Sequence, residues 1–195
     1  YSGSYGTNGF RLSFSDNSSN QALGYDAAVT APTLNPRGGF DAVTFTGNGS
    51  SQTIDTLAFE PGLVWIKDLD NTYTHKLFDI VRGPNKVINS NNATSEGTEN
   101  QLLMSFNSNG FALGSDGGLN ANNADIVAWC WKAGGDPVEN SDGTETTSVS
   151  ASTEYGFSVV TYTGTSSADT FGHGLGAVPK MIFFKALNGS TNWQV

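Results

Sequence analysis

The strongest constraint on the fold of this chain is an internal repeat. The string VTFTGNGSSQT at residues 43–53 recurs as VTYTGTSSADT at residues 160–170, which begins 117 positions further along (160 − 43 = 117). The block PGLVWIK at residues 61–67 corresponds to PKMIFFK at residues 179–185, with an offset of 118 (179 − 61 = 118), so a single inserted residue separates the two matches. Repetition at a fixed period indicates serial modules of one fold.

Apolar residues occur in short alternating runs separated by Gly, Asn, Ser and Pro, which is typical of β-strands joined by turns. The predicted fold class is therefore all-β with little helix, as tandem β-sandwich modules of jelly-roll or lectin-like type, each of about 100 residues. The tracts between the runs, including residues 115–123, are predicted to be turns. The predicted strands span residues 9–14, 40–46, 63–67, 102–106, 124–132, 156–163 and 180–186.

The repeat and the turn-rich tracts together predict the domain organisation. We expect residues 1–36 to be the C-terminal end of a preceding β module and residues 37–135 to be a complete β-sandwich repeat. Residues 136–152 are predicted to be a linker, because they are weakly apolar and follow a Gly-Gly pair. Residues 153–195 are predicted to start the next, truncated repeat. We therefore expect the chain to be a segment of a longer polypeptide.

Composition narrows the classes of function. The formal net charge is −9 and no Lys/Arg cluster occurs, which disfavours nucleic-acid binding because phosphates need a basic footprint. No apolar run approaches the roughly 20 residues of a membrane-spanning helix, so membrane insertion is not expected. The one cysteine, Cys130, excludes an intrachain disulfide and a cysteine-based metal cluster.

Several strings together resemble a known family. They are GFRLSFSDNSSNQALGYD, LVWIKD, LFDIVRG, SFNSNGFALGSD, VAWCWKAGG and VVTYTGTSSADTFGHGLGAVPKMIFFK, and they cover most of the chain. In these strings the chain resembles the tandem modules of tail fibres predicted for marine and cyanobacterial phages. The resemblance implies an extracellular virion component, a homotrimer of lectin-like β-sandwich modules, and no catalytic residues. One departure is that residues 56–59 replace the HGLG of residues 173–176 in the complete unit.

Few side chains suggest a chemical site. His173 lies in a Gly-rich string and is interpreted as part of a structural turn, since the complete unit has no matching histidine. Carboxylate pairs at Asp68/Asp70 and Asp136/Glu139 are of the type used in glycosidic hydrolysis or Ca²⁺ binding. Both pairs fall in predicted turns, where Asp commonly bonds its own backbone, so solvated turns are favoured.

Aromatic residues give the remaining candidates. Trp129 and Trp131 alternate around Cys130, so the two indoles are expected on one face of a strand, packed in the core or stacked on a sugar, with the core favoured. Cys130 is expected to be an ordinary buried residue. Tyr73 and Trp193 are weak candidates for contacts with a ligand, because they lie near the turns that follow the two repeated Lys-ended strands, and the isolated His75 is a further weak candidate.

Two hypotheses of function follow from these observations. The first is a non-enzymatic structural and adhesive component of a phage tail fibre, without cofactor or metal, that displays loops for attachment to a host surface. The strand sequences are repeated, whereas no group of His or carboxylate residues is repeated, and this difference favours the structural and adhesive role. The second is a module that binds or depolymerises carbohydrate, with a glycan of the host cell surface as its partner.

Overall fold

The computed structural model describes residues 38–195, which form antiparallel sheets and one helical turn. The elements are β1 (Phe40–Thr46), β2 (Gln52–Ile54), β3 (Leu63–Asp68), β4 (Lys76–Asp79), β5 (Lys86–Asn89), β6 (Gly97–Thr98), β7 (Leu103–Asn107), β8 (Gly110–Leu113), α1 (Gly117–Asn120), β9 (Asp125–Trp131), β10 (Val138–Asn140), β11 (Thr147–Ser152) and β12 (Phe157–Thr161). The all-β prediction is confirmed for this part of the chain.

Two sheets enclose the hydrophobic core. A six-stranded sheet has the order β1-β9-β3-β4-β5-β6, and a smaller sheet has the order β2-β8-β7. Side chains from both sheets meet in one cluster, so the arrangement is a β-sandwich. The buried members of this cluster are Ile54, Leu57, Phe59, Val64, Ile66, Phe78, Val87, Leu102, Leu103, Phe111, Leu113, Leu119, Ile126, Ala128 and Cys130.

Strand β9 holds the large sheet together. It pairs along its whole length with β1, from Phe40↔Trp131 to Thr46↔Asp125. Its other edge pairs with β3, which in turn pairs with β4. Because β1 and β3 come early in the chain and β9 comes late, this pairing joins segments that are distant in sequence.

A buried amide fixes the loops beside the small sheet. The Asn120 side chain is fully buried at the end of α1. Its Nδ2 donates to the carbonyl of Gly114 (2.8 Å), and its Oδ1 accepts from the Asn48 N–H (3.0 Å) and from the Gln52 amide (2.8 Å). A fully bonded buried amide specifies local geometry without leaving a polar atom unpaired.

Most of the predicted strands agree with the structure. The runs at 40–46, 63–67, 102–106, 124–132 and 156–163 correspond to β1, β3, β7, β9 and β12. The strand predicted at 180–186 is wrong, because this segment has no strand and makes only an isolated bridge, Phe184↔Gln194. The predicted turn at 115–123 contains α1, which Asp116 caps through its bond to the Gly118 N–H. The predicted strand at 9–14 lies outside the described residues.

The segment predicted to be a linker contains regular structure. Two of its parts form β10 and β11, which join β12 in a third sheet. Polar side chains are buried here with hydrogen bonds in place. Thr147 Oγ1 donates to the carbonyl of Gly172 (3.0 Å), and Ser150 Oγ donates to that of Gly135 (2.6 Å). Division of the chain into serial modules at these boundaries stays a prediction, and residues 1–37 lie outside the described part.

Truncation of a core ring tests the sandwich. Phe111 on β8 is fully buried, so Phe111→Ala is expected to lower the free energy of unfolding by about 3–5 kcal/mol in urea denaturation, because it leaves a cavity in the core. The matched control is Met104→Ala on the neighbouring β7, where the side chain is 41% exposed and a change within about 0.5 kcal/mol is expected. Equal effects of the two changes would contradict this core.

Candidate functional site

Two of the ligand-contact candidates meet at one loop. Residues 89–96 follow β5 and are rich in Asn, Ser and Thr. The carbonyl of His75 accepts from the Ser90 N–H (3.0 Å), and the His75 N–H donates to Asn91 Oδ1 (3.1 Å). The indole N–H of Trp193 donates to the carbonyl of Asn89 (2.9 Å). His75 and Trp193, 118 positions apart (193 − 75 = 118), therefore bond to the same loop.

The C-terminal segment fastens this loop at further points. The Lys185 ammonium donates to the carbonyl of Ala93 (3.4 Å), and the Glu96 N–H donates to that of Leu187 (2.8 Å). We call residues 71–75, 89–96 and 185–193 together the polar-loop surface. It carries amide and hydroxyl side chains, which are groups that bond sugar hydroxyls, and Asn89 Oδ1 is buried there without a partner.

Tyr73 supplies the exposed aromatic ring of this surface. It precedes β4 by three positions and is 46% exposed. His75 is half-buried. Its two hydrogen bonds to the loop are made by its main-chain carbonyl and N–H, not by its imidazole. Sequence spacing signalled that Tyr73, His75 and Trp193 follow equivalent strands. Turn chemistry predicted a loop at residues 89–97, but nothing in the sequence indicated that His75 and Trp193 both bond to it.

The carboxylate pair Asp68/Asp70 and His173 make hydrogen bonds within turns. The Asp68 carboxylate is buried and accepts from the N–H groups of Asp70 (2.9 Å) and Asn71 (2.8 Å), as expected for an aspartate that bonds its own turn, while residues 69–72 are exposed to solvent. His173 Nδ1 accepts from the Leu175 N–H (3.1 Å), which agrees with the interpretation of His173 as part of a turn.

The second carboxylate pair lies on the surface. Asp136 and Glu139 are both exposed, as predicted for a solvated turn, although Glu139 belongs to β10. Within residues 38–195 no three His, Cys, Asp or Glu side chains are grouped in a way that could hold a metal ion.

The tryptophans of β9 do not face the main core. Trp129 and Trp131 share one face of the strand as predicted, but the core is on the other face, with Ile126, Ala128 and Cys130. Packing in the core was therefore the wrong choice for the two indoles. Instead, Trp129 lies against Trp65 of β3, with ring centroids 5.7 Å apart. Trp131 is half-buried and packs against Phe40 and Phe157, with ring centroids 4.9 and 6.0 Å away.

Two side chains have pKa values displaced by burial. Burial lowers the pKa of Lys76, while the nearby carboxylates of Asp116 and Glu99 oppose the shift. Its ammonium donates to Thr74 Oγ1 (3.0 Å). Burial also raises the pKa of Cys130 to about 12, with a smaller effect from Asp41. A thiol held neutral within a core is inert, as predicted for Cys130.

The fold and this surface define a β-sandwich domain without disulfides that presents polar loops beside β5. The chain belongs to the family described as Domain of unknown function (DUF7483), which matches residues 35–195. No curated protein and no solved structure matches it. Among residues 38–195, no helix has the length and apolar character needed to cross a membrane.

The buried thiol makes stability depend on alkaline pH. The folded pKa of Cys130 is about 12, above the ordinary value of 9.0, so its contribution is present below pH 9 and is lost as pH rises toward 12. We expect the free energy of unfolding to fall across this window by up to about 1.4 kcal/mol per pH unit more than in Cys130→Ala. Urea denaturation of both proteins between about pH 8 and pH 11 measures the difference. Parallel curves would contradict a buried neutral thiol.

Proposed function

We propose that this chain is a non-enzymatic structural and adhesive component of a virion appendage, a phage tail fibre, in which β-sandwich modules follow one another. One observation carries the proposal. The edge strands β1 and β12 have related sequences, GFDAVTFTG and GFSVVTYTG, and their first rings, Phe40 and Phe157, both pack against Trp131. Repetition of a scaffold strand at a module junction is what a rod of serial domains requires.

Other features fit this role. Stability comes from the buried core and from strand pairing, and the one cysteine is buried. The polar-loop surface places hydroxyls and amides beside one end of the large sheet, where they are available for attachment to a host surface. Phe40 is 41% exposed on the outer face of that sheet. We propose that three identical chains bury such apolar strips in a homotrimer, because closed symmetry hides them without leaving an open edge.

Immunogold labelling tests the location. Antibodies raised against residues 38–195 are applied to purified particles of the virus that encodes the chain, with pre-immune serum as the control. Gold on fibrous appendages is the expected result. Gold confined to the capsid would reassign the protein to a capsid decoration, and particles without gold would overturn a virion role. Light scattering on the purified chain measures the oligomeric state, for which we expect three times the mass of 20.5 kDa.

A second candidate function is binding or depolymerisation of a host glycan, favoured by the exposed Tyr73 beside the Asn-rich loop. Under this alternative, Tyr73→Ala weakens binding to host polysaccharide by about tenfold, because removal of an aromatic anchor costs roughly 1–2 kcal/mol. Tyr162→Ala is the matched control, since Tyr162 is similarly exposed (42%) but lies outside the polar-loop surface. Equal binding by both variants would sink the alternative, and release of oligosaccharides would show depolymerisation.

A further inference from the structure

The C-terminal segment repeats the turn that follows β3. Lys67 Nζ donates to the carbonyls of Asp68 and Asn71. Lys185, 118 positions later, donates through Nζ to the carbonyls of Ala186 and Gly189, which stand 118 positions after Asp68 and Asn71. The same lysine bridge therefore closes both turns, although the residues within the turns differ.

The strand register after the turn is repeated as well. In the sandwich, β3 and β4 place Ile66 opposite Lys76. In the C-terminal segment the isolated bridge places Phe184 opposite Gln194, each 118 positions later. Two main-chain hydrogen bonds of 2.9 and 3.0 Å make this bridge. Residues 184–194 thus begin the hairpin that β3 and β4 complete in the sandwich.

Three aromatic rings of the C-terminal segment lie close together at positions that match core residues of the sandwich. Tyr162 stacks on Phe171 with centroids 4.6 Å apart, and Phe171 meets Phe184 edge-on at 6.0 Å. The positions that match these rings in the sandwich, Phe45, Ile54 and Ile66, all belong to its core cluster or pack against it. The C-terminal segment therefore assembles one side of a second core.

Residues 181–185, which match β3, pair with the chain on one edge only, through the bridge to Gln194, and their other edge has no neighbouring strand among the described residues. Ile182 is 43% exposed, whereas the matching Val64 is fully buried. Met181 and Phe183 are 67% and 62% exposed. The other prospective neighbour, β12, is an edge strand of its sheet. In the sandwich, β9 fills the place between the two matching strands, β1 and β3.

We propose that residues 156–195 are a half-module that binds a further copy of the repeat segment at residues 68–135, supplied in the same polypeptide. The β9-type strand of that copy inserts antiparallel between β12 and Met181–Lys185, with its small core-facing residues over Tyr162, Phe171 and Phe184. The partner is thus a strand with the alternation of Ile126, Ala128 and Cys130, and the added main-chain bonds and burial are those of strand addition. The proposal deepens the serial-module part of the proposed function and does not depend on a virion location.

Hydrogen exchange on a fusion protein tests the proposal. In the fusion, a copy of residues 68–135 follows Lys185, in place of residues 186–195. We expect the amides of residues 181–183 to exchange at least about 100-fold more slowly in the fusion than in the original chain, because they become part of a paired central strand. In both proteins, residues 64–66 serve as the protected reference.

A control fusion carries Lys in the appended copy at the positions that match Ala128 and Cys130, and no added protection is expected there because charges cannot enter the new core. Fast exchange of residues 181–183 in the first fusion overturns the proposal, whether or not the appended copy is folded. Protection of these residues in the original chain also overturns it, since a second copy of the chain would then supply the strand. Neither result bears on the immunogold labelling, so failure of this proposal is distinguishable from failure of the virion role.

Discussion

Insertion of β9 between β1 and β3 is the interaction on which the sandwich depends. Without β9 the first and third strands have no common neighbour, and the large sheet falls into two parts. The core face of β9 carries Ile126, Ala128 and Cys130, which all belong to the main cluster. These contacts close loops of more than 50 residues, so their formation is entropically costly and is expected to be late in folding. Local turns are expected to form first during folding, and the large sheet is expected to be completed when β9 pairs with β1 and β3.

Sequence reasoning predicted the long strands well and the short ones poorly. Residues 40–46 (FDAVTFT) are rich in aromatic and β-branched residues, which favour strands, and β1 has these bounds. Strand β4 has only four residues, begins with Lys76 and ends with Asp79, so it carries almost no periodic signal. The charge of Asp79 at the end of this strand is tolerated because its carboxylate accepts a hydrogen bond from the Arg82 guanidinium, which is itself buried. Such compensation depends on tertiary contacts, and the local pattern does not contain it.

The candidate site was likewise predicted in part. Alternation correctly placed Trp129 and Trp131 on one face, but alternation does not say which face is the core. The core face of β9 carries Ile126, Ala128 and Cys130, in a cluster that also holds the larger rings of Phe78 and Phe111. Likewise, Trp193 was a candidate because it follows a repeated strand, and His75 was a weak candidate as an isolated histidine. Their common loop was not predictable, because main-chain groups of His75, Ser90 and Asn89 make most of the bonds.

The repeated block separates what a short sequence specifies from what it does not. The turn after Lys67 and the turn after Lys185 have the same bridge, because both partners of each bond lie within four residues of the lysine. The strand before each turn differs between the copies, since Val64 is buried between β9 and β4 while Ile182 remains exposed. An alternating apolar pattern indicates that one face of a strand will be buried, but it does not indicate which other element covers that face. The block is thus a strand only where neighbouring strands accept its main-chain groups, whereas its lysine turn forms in both places.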